Sequence, residues 1–296
     1  MRLDDELESK NVEDLRKSGM SGRMGRKIPS ARMLVAAWPL IRSLVRTKTG
    51  MALLTIGVML YFFGGGIFRV EKSAPSISSS VDNEKEAVFV KKVLRSTEKV
   101  WSEIFGNYTP PVLVLYRGYV RSGCGFAQAQ SGPFYCSRDR KIYLDLGFYD
   151  ELKNRYSSPG DFAQAYVLAH EVGHHIQNLT GILGKVHHLQ QQAISSGRKK
   201  IANKLQIPVE LQADCYAGVW AHYVRSRLEK GDIEEALNAA SQIGDDTLQK
   251  KSQGFVVPDS FTHGTSRDRM EWFYRGYRSG DIKSCDTYSK LKMSYL

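Results

Sequence analysis

His170, Glu171 and His174 form the pattern H-E-x-x-H within Ala169-His-Glu-Val-Gly-His-His175. On a helix, side chains four residues apart share a face with Cβ atoms about 5 to 6 Å apart, so both imidazoles can reach one ion at about 2.0 to 2.1 Å. Glu171 is turned away from that pair, where its carboxylate can take a proton from a metal-activated water instead of binding the metal. These residue types at this spacing predict hydrolysis with Zn2+ as cofactor and Glu171 as general base.

A catalytic zinc site needs a third protein ligand and an open position. Glu210, at the head of the run Glu210-Leu-Gln-Ala-Asp-Cys-Tyr-Ala-Gly-Val-Trp-Ala-His222, is the candidate ligand. Asp214, one turn further on the same face, is placed to hydrogen-bond the outer nitrogen of a ligating histidine and set its tautomer. Other zinc patterns are excluded by spacing. Thr180 stands where a metzincin carries its third histidine, and H-x-x-E-H is absent. Cys215 points about 140° around the helix from Glu210, and His175 about 100° away from the metal face. His187 and His188 read as part of a solvated helix face, and His222 as core packing. His263 precedes a helix on a loop. If that loop reaches the metal, its imidazole can hydrogen-bond the oxyanion that forms when water attacks a peptide carbonyl, the alternative being a solvent-exposed loop histidine.

The elements that must hold these residues are legible from periodicity. Phe162, Ala165, Tyr166, Ala169 and Val172 recur at helical spacing around the motif, with Asp161 placed to cap the helix. Glu210 to His222 predicts a second helix, and 86–105, 232–243 and 266–279 predict three more. The last is introduced by Thr265 and Asp268, close to a capping box. Residues 184–205 read as surface helices. Residues 110–116 and 141–146 read as strands, with 133–136 a partner for the second across the turn Ser137-Arg-Asp-Arg140.

The composition, 42% hydrophobic and 10% aromatic in 296 residues, suits a folded chain of one or two domains. Residues 51–68 are eighteen uncharged residues, close to the roughly 20 that cross a bilayer. Fifty residues precede them, too many for a cleaved leader, so the expectation is an uncleaved anchor. Arg42, Arg46 and Lys48 before the span predict a cytoplasmic N-terminus and an outward-facing domain. The chain's net charge is +11, and its first fifty residues, with eleven Lys/Arg against six Asp/Glu, carry +5 of it. Basic residues beside a span point to anionic lipid, and no aromatic-interleaved patch or motif supports nucleic-acid binding. Four cysteines allow three pairings. Cys124 with Cys136 and Cys215 with Cys285 is the favoured one, against free thiols in a reducing compartment.

Long literal strings, among them Asn11-Val-Glu-Asp14, Gly132-Pro-Phe-Tyr-Cys136, Ala169 to His175, Glu210 to Trp220 and Val257 to Ser266, resemble the neutral zinc metallopeptidases of the YpfJ-like kind in bacteria. The resemblance runs nearly end to end. It implies a membrane-tethered metallopeptidase with a zincin-like α+β domain, a small mixed sheet packed on the active-site helices. It carries over His170, His174 and Glu210 as metal ligands and Glu171 as base. By analogy with zincin-like folds, 141–146 would be the edge strand that pairs with a substrate backbone. The expected organisation is a basic cytoplasmic tail (1–50), one transmembrane helix (51–70), a linker (71–85) and a periplasmic metallopeptidase domain (86–296) of a bacterial inner-membrane protein acting on peptides or proteins. The rival expectation is a catalytically silent, zinc-stabilised envelope scaffold or partner-binding domain.

Overall fold

A computed structural model describes residues 1–16, 79–128, 132–154 and 160–288. In chain order its elements are β1 (Val12–Asp14), α1 (Ser79–Phe105), β2 (Val112–Tyr116), β3 (Tyr119–Ser122), β4 (Gly125–Gln128), β5 (Phe134–Cys136) and β6 (Lys141–Asp145). They continue with α2 (Gly147–Asn154), α3 (Asp161–Leu179), α4 (Ile182–Ser195), α5 (Lys199–Tyr223), α6 (Asp232–Gln242), α7 (Asp245–Gln253) and α8 (Ser266–Ser279). The fold is mixed α+β, as expected: a small sheet and, among the described residues, eight α-helices.

The sheet has the order β1-β2-β6-β5, parallel except for β5. β2 and β6 are nearly continuous apolar runs because both their faces are covered. Leu113, Leu115, Ile142 and Leu144 point into the main core, while Val114, Tyr116 and Tyr143 point into a smaller cluster with Val120 and Cys136. The main core is centred on Trp101, Phe162 and Trp220. Phe162 stacks on Trp220 at 5.8 Å, and the Trp220 indole donates to Ser96 Oγ at 3.0 Å.

Three expectations change here. The 141–146 strand lies inside the sheet rather than at its edge, because the 137–140 turn folds β5 back on it, with the Arg140 amide donating to the Cys136 carbonyl at 2.9 Å. The free edge next to the active-site helix is therefore β5. The first long helix begins at Ser79 instead of 86, taking up the end of the expected linker. The helix expected from Glu210 is the second half of α5, which continues through Pro208. Proline removes an internal amide donor, and side chains bond to the backbone there: Thr287 Oγ1 donates to the Pro208 carbonyl at 2.8 Å, and Gln177 Nε2 to the Val209 carbonyl at 2.7 Å.

The N-terminal residues are the larger correction. Residues 1–16 belong to the domain and are not part of a tail. β1 pairs with β2 in register Val12 to Leu113, Ser9 Oγ and Asn11 Nδ2 donate to the buried Glu98, and Met1 and Leu3 are buried in the core. Arg16 ties the end of this segment to the start of α1, reaching the Asn83 carbonyl at 3.0 Å and Glu84 Oε2 at 3.1 Å. β1 is thus the outer strand of the same sheet as β2. The expected transmembrane helix (51–70), residues 17–50 of the expected tail and residues 71–78 of the linker lie outside the described residues. Among the described residues no helix is long and apolar enough to cross a membrane.

Candidate metal centre

α3 and α5 cross closely, and the crossing builds the site. A Cβ placed on Gly173 would lie 2.9 Å from the Ala213 carbonyl oxygen and 3.0 Å from its Cα. Only a glycine lets the two backbones approach this near. Asp161 is the first residue of α3 rather than its cap: the cap position is Gly160, and Glu235 Oε2 of α6 accepts the Phe162 amide at 3.1 Å.

At the crossing, His170 Nε2 lies 3.3 Å from Glu210 Oε2, and His174 Nε2 lies 3.6 Å from the same oxygen. Ligands about 2.0 to 2.1 Å from a tetrahedral zinc are about 3.3 Å from one another, close to both carboxylate–imidazole distances, and all three atoms lie within 4.8 Å of one another. The ring nitrogens are assigned by their other partners. His170 Nδ1 donates to Asp214 Oδ1 at 2.7 Å, and His174 Nδ1 to Gln177 Oε1 at 2.9 Å, leaving both Nε2 atoms for an ion. Glu210 Oε1 accepts from Gln206 Nε2 at 2.8 Å, which leaves Oε2 for the imidazoles. The donor set, two imidazoles and one carboxylate, is that of a catalytic zinc.

The electrostatics agree. Burial would raise the Glu210 pKa, but the facing His174 and His170 hold it well below the ordinary carboxylate range. Burial would lower the His170 pKa, yet Asp214 and Glu210 raise it to about 9. Beside a buried carboxylate these imidazoles favour positive charge, which a divalent cation supplies. Glu171 is also buried, and desolvation, partly offset by His174 and His170, raises its pKa. That moves it in the direction a general base requires. Tyr135 of β5 lines the same cleft as Glu171, so the edge strand runs beside the base.

Asp214 has further partners besides His170. Arg269 of α8 donates Nε to Asp214 Oδ2 at 2.8 Å and Nη2 to Oδ1 at 2.9 Å, and Tyr166 OH donates to Oδ1 at 2.6 Å. Burial alone would raise the Asp214 pKa, but Arg269 and His170 bring it to about 2. Asp214 is thus an anion that orients His170, neutralised from behind by a buried guanidinium.

His263 lines the same cleft as His170, Glu171, His174 and Glu210, a cavity of about 540 Å³ with Phe134, Tyr135 and Arg269 also in its wall. The other histidines stay away from the metal group. His175 is buried between Tyr135 OH (3.0 Å) and the Thr109 carbonyl (2.7 Å), His187 and His188 are exposed on α4, and the half-buried His222 bonds the Tyr277 carbonyl at 2.8 Å. Cys215 is likewise no ligand, because both cystines form: Cys124–Cys136, which ties the β3–β4 turn to the edge strand, and Cys215–Cys285.

Sequence reasoning missed Arg269, Tyr166, Gln177 and Asp245, a carboxylate bonded to His263. Two of them carried a local signal, since Tyr166 is four residues before His170 and Gln177 three after His174 on one helix. A second carboxylate group, Asp161, Asp232 and Glu235, also has its oxygens close together. There the Met1 ammonium already sits 3.0 Å from Asp161, 3.2 Å from Asp232 and 2.7 Å from Glu229.

Two helices crossing at a glycine, with H-E-x-x-H on one and a glutamate on the other facing the same point, define a candidate metallohydrolase centre. The chain belongs to the family described as "Putative neutral zinc metallopeptidase", whose profile matches residues 1–288. It is 45% identical over 305 aligned residues to the protein YpfJ of Escherichia coli K12, covering 98% of this chain and 99% of that one. It is 42% identical over 207 residues to the protein Rv2575 of Mycobacterium tuberculosis H37Rv, covering 66% of this chain and 68% of the relative. Both relatives carry the description "Uncharacterized protein". No solved structure matches the chain.

Proposed function

We propose that the protein is a zinc metallopeptidase of the zincin type. His170, His174 and Glu210 hold the metal, Asp214 orients His170, and Glu171 is the general base. The observation that carries the reading is the meeting of two Nε2 atoms and one carboxylate oxygen at 3.3 and 3.6 Å, contributed by separate helices. Bound zinc polarises the substrate carbonyl and lowers the pKa of the attacking water. Glu171, its own pKa raised by burial, accepts the water proton and delivers it to the leaving amine. His263 donates a hydrogen bond to the developing oxyanion. The peptide adds its backbone to the free edge of β5, whose Phe134 and Tyr135 line the cleft.

The cellular setting is part of the proposal. Two cystines suit an oxidising compartment, and the apolar run 51–68 suits attachment to a membrane. The pairing of β1 with β2 supports an N-terminus in the same compartment as the domain.

Glu171→Gln tests the mechanism. Fluorescein-labelled casein is the probe for hydrolysis and elemental analysis the probe for metal. The variant is expected to keep about one zinc per chain and to lose activity by a factor of about 10² to 10⁴. Equal activity of variant and wild type would eliminate Glu171 as the base. A zinc-loaded wild type that cleaves neither casein nor peptidoglycan-linked peptides would favour the silent scaffold.

A further inference from the structure

The loop carrying His263 is gripped from one side by two adjacent carboxylates at the start of α7. Asp245 Oδ2 accepts the amides of Thr262 (2.7 Å), His263 (2.6 Å) and Gly264 (3.1 Å), and the Asp245 amide donates to the Gly264 carbonyl at 3.0 Å. Its other oxygen, Oδ1, lies 3.2 Å from His263 Nδ1. Asp246 Oδ1 takes the Ser266 amide and hydroxyl at 2.8 and 2.7 Å. From the other side the loop rests on the metal-ligand helix. Gly264, at φ +89°, packs so closely that a Cβ there would sit 3.3 Å from the side chains of Ile207, about one turn before Glu210 on α5, and Leu211, next to it.

We propose that Asp245 is the positioning residue of the site. It fixes the 262–264 backbone against α5 and binds His263 Nδ1, so that Nε2 is the ring nitrogen presented to the cleft beside Glu210. The inference rests on the oxyanion role given above to His263: with Nδ1–H held by Asp245, it is the protonated ring that carries a second proton on Nε2 and can donate it in a hydrogen bond to the oxyanion. Loop bracing alone needs only Oδ2. The contact of Oδ1 with the imidazole is the additional observation: the Thr262 hydroxyl also lies 3.0 Å from Nδ1 and can either donate or accept, whereas the carboxylate can only accept and so favours a proton on that nitrogen, as behind other catalytic imidazoles. The charged groups around this imidazole are Asp245 on α7, Glu210 on α5 and Arg269 on α8. The hydrogen bond from Asp245 is the leading influence and raises the pKa of the exposed His263, with partial desolvation opposing it.

Two readouts separate positioning from bracing. The first is the ring-nitrogen NMR spectrum of the full, zinc-loaded chain labelled at histidine, with no substrate present. The neutral His263 is expected as the Nδ1–H tautomer in the wild type, and finding the Nε2–H tautomer would overturn the proposal without any variant. Asp245→Asn keeps an oxygen for the three amides but turns an NH2 group toward Nδ1. It is expected to switch the tautomer and lower the titration midpoint of His263, whereas Asp246→Asn leaves both unchanged. An Asp245→Asn spectrum identical to wild type, or an equal change in Asp246→Asn, would refute it. The second readout is casein cleavage, where kcat should fall at least about tenfold in Asp245→Asn with KM nearly constant. An unchanged kcat counts against the positioning role. Because the spectrum needs no turnover, failure of the peptidase reading shows up in the cleavage assay while the Asp245 contact is judged separately.

Discussion

The metal-ligand group and the carboxylates around Met1 are alike in spacing and opposite in meaning. In each, three ligand-type residues bring atoms within 4.8 Å of one another. In the second group, Asp161, Asp232 and Glu235, the chain itself supplies the cation: the Met1 ammonium is in salt-bridge contact with Asp161 and Asp232 and with the neighbouring Glu229. At Glu210 the facing groups are two imidazoles whose outer nitrogens are tied down to present lone pairs. Asp214 is a third case, with the buried Arg269 as its counter-ion. Proximity of acidic groups does not make a metal site. What marks one is a buried anion whose neighbours are imidazoles held in one orientation, which can exchange a proton for a metal ion.

The largest effect that could break this contrast lies at Glu210. Glu210→Gln should drop bound zinc from about one per chain to a small fraction, measured by elemental analysis after dialysis, and abolish casein cleavage. Full zinc occupancy in that variant would show that the metal is held elsewhere. Next is Arg269→Leu, which leaves Asp214 as an uncompensated buried carboxylate. Chemical denaturation should show a loss of about 3 to 5 kcal/mol, and weaker zinc binding should follow because His170 loses a charged partner. A loss below about 1 kcal/mol would mean that the guanidinium is incidental.

Smaller effects belong to the other group. Asp232→Asn should leave zinc content untouched and cost about 1 to 3 kcal/mol, since the residue is buried against the ammonium. A fall in zinc content would merge two groups that the contrast separates. The pH dependence is smaller still. Burial alone would lower the pKa of the Met1 amine, but its bonds to Glu229 and Asp161 raise it from 8.0 to about 10. A pKa raised on folding stabilises fully below pH 8 and ceases to do so as pH climbs through about 10. With its partners half-exposed, the contribution is about 1 kcal/mol. Thermal melts of the wild type should therefore decline across that window more than those of Asp232→Asn.

The metal motif was legible because its geometry is local, four residues on one helix. Glu210 and Asp214 were legible because one turn of a second helix carried both carboxylates. Arg269 was not, since 55 residues separate it from Asp214 and nothing near it in sequence marks a buried charge. β1 was misassigned to a tail because three residues cannot display a period of two. Its place comes from pairing with a strand about a hundred residues away. The edge strand was assigned one strand too far inward, because alternation describes faces of a sheet and says nothing about the order of its strands.

Gly173 has a consequence for recognising such centres in other chains. Written as H-E-x-x-H, the motif treats its two inner positions as interchangeable blanks. In this fold the second blank is where α5 touches α3, and a methyl group there would meet the Ala213 backbone at 2.9 Å. A bulkier residue would lever the glutamate helix outward, beyond the reach that a shared ion tolerates. A pattern search requiring H-E-x-G-H, followed downstream by E-x-x-x-D, would therefore separate chains able to close this centre from those that match the shorter string by accident.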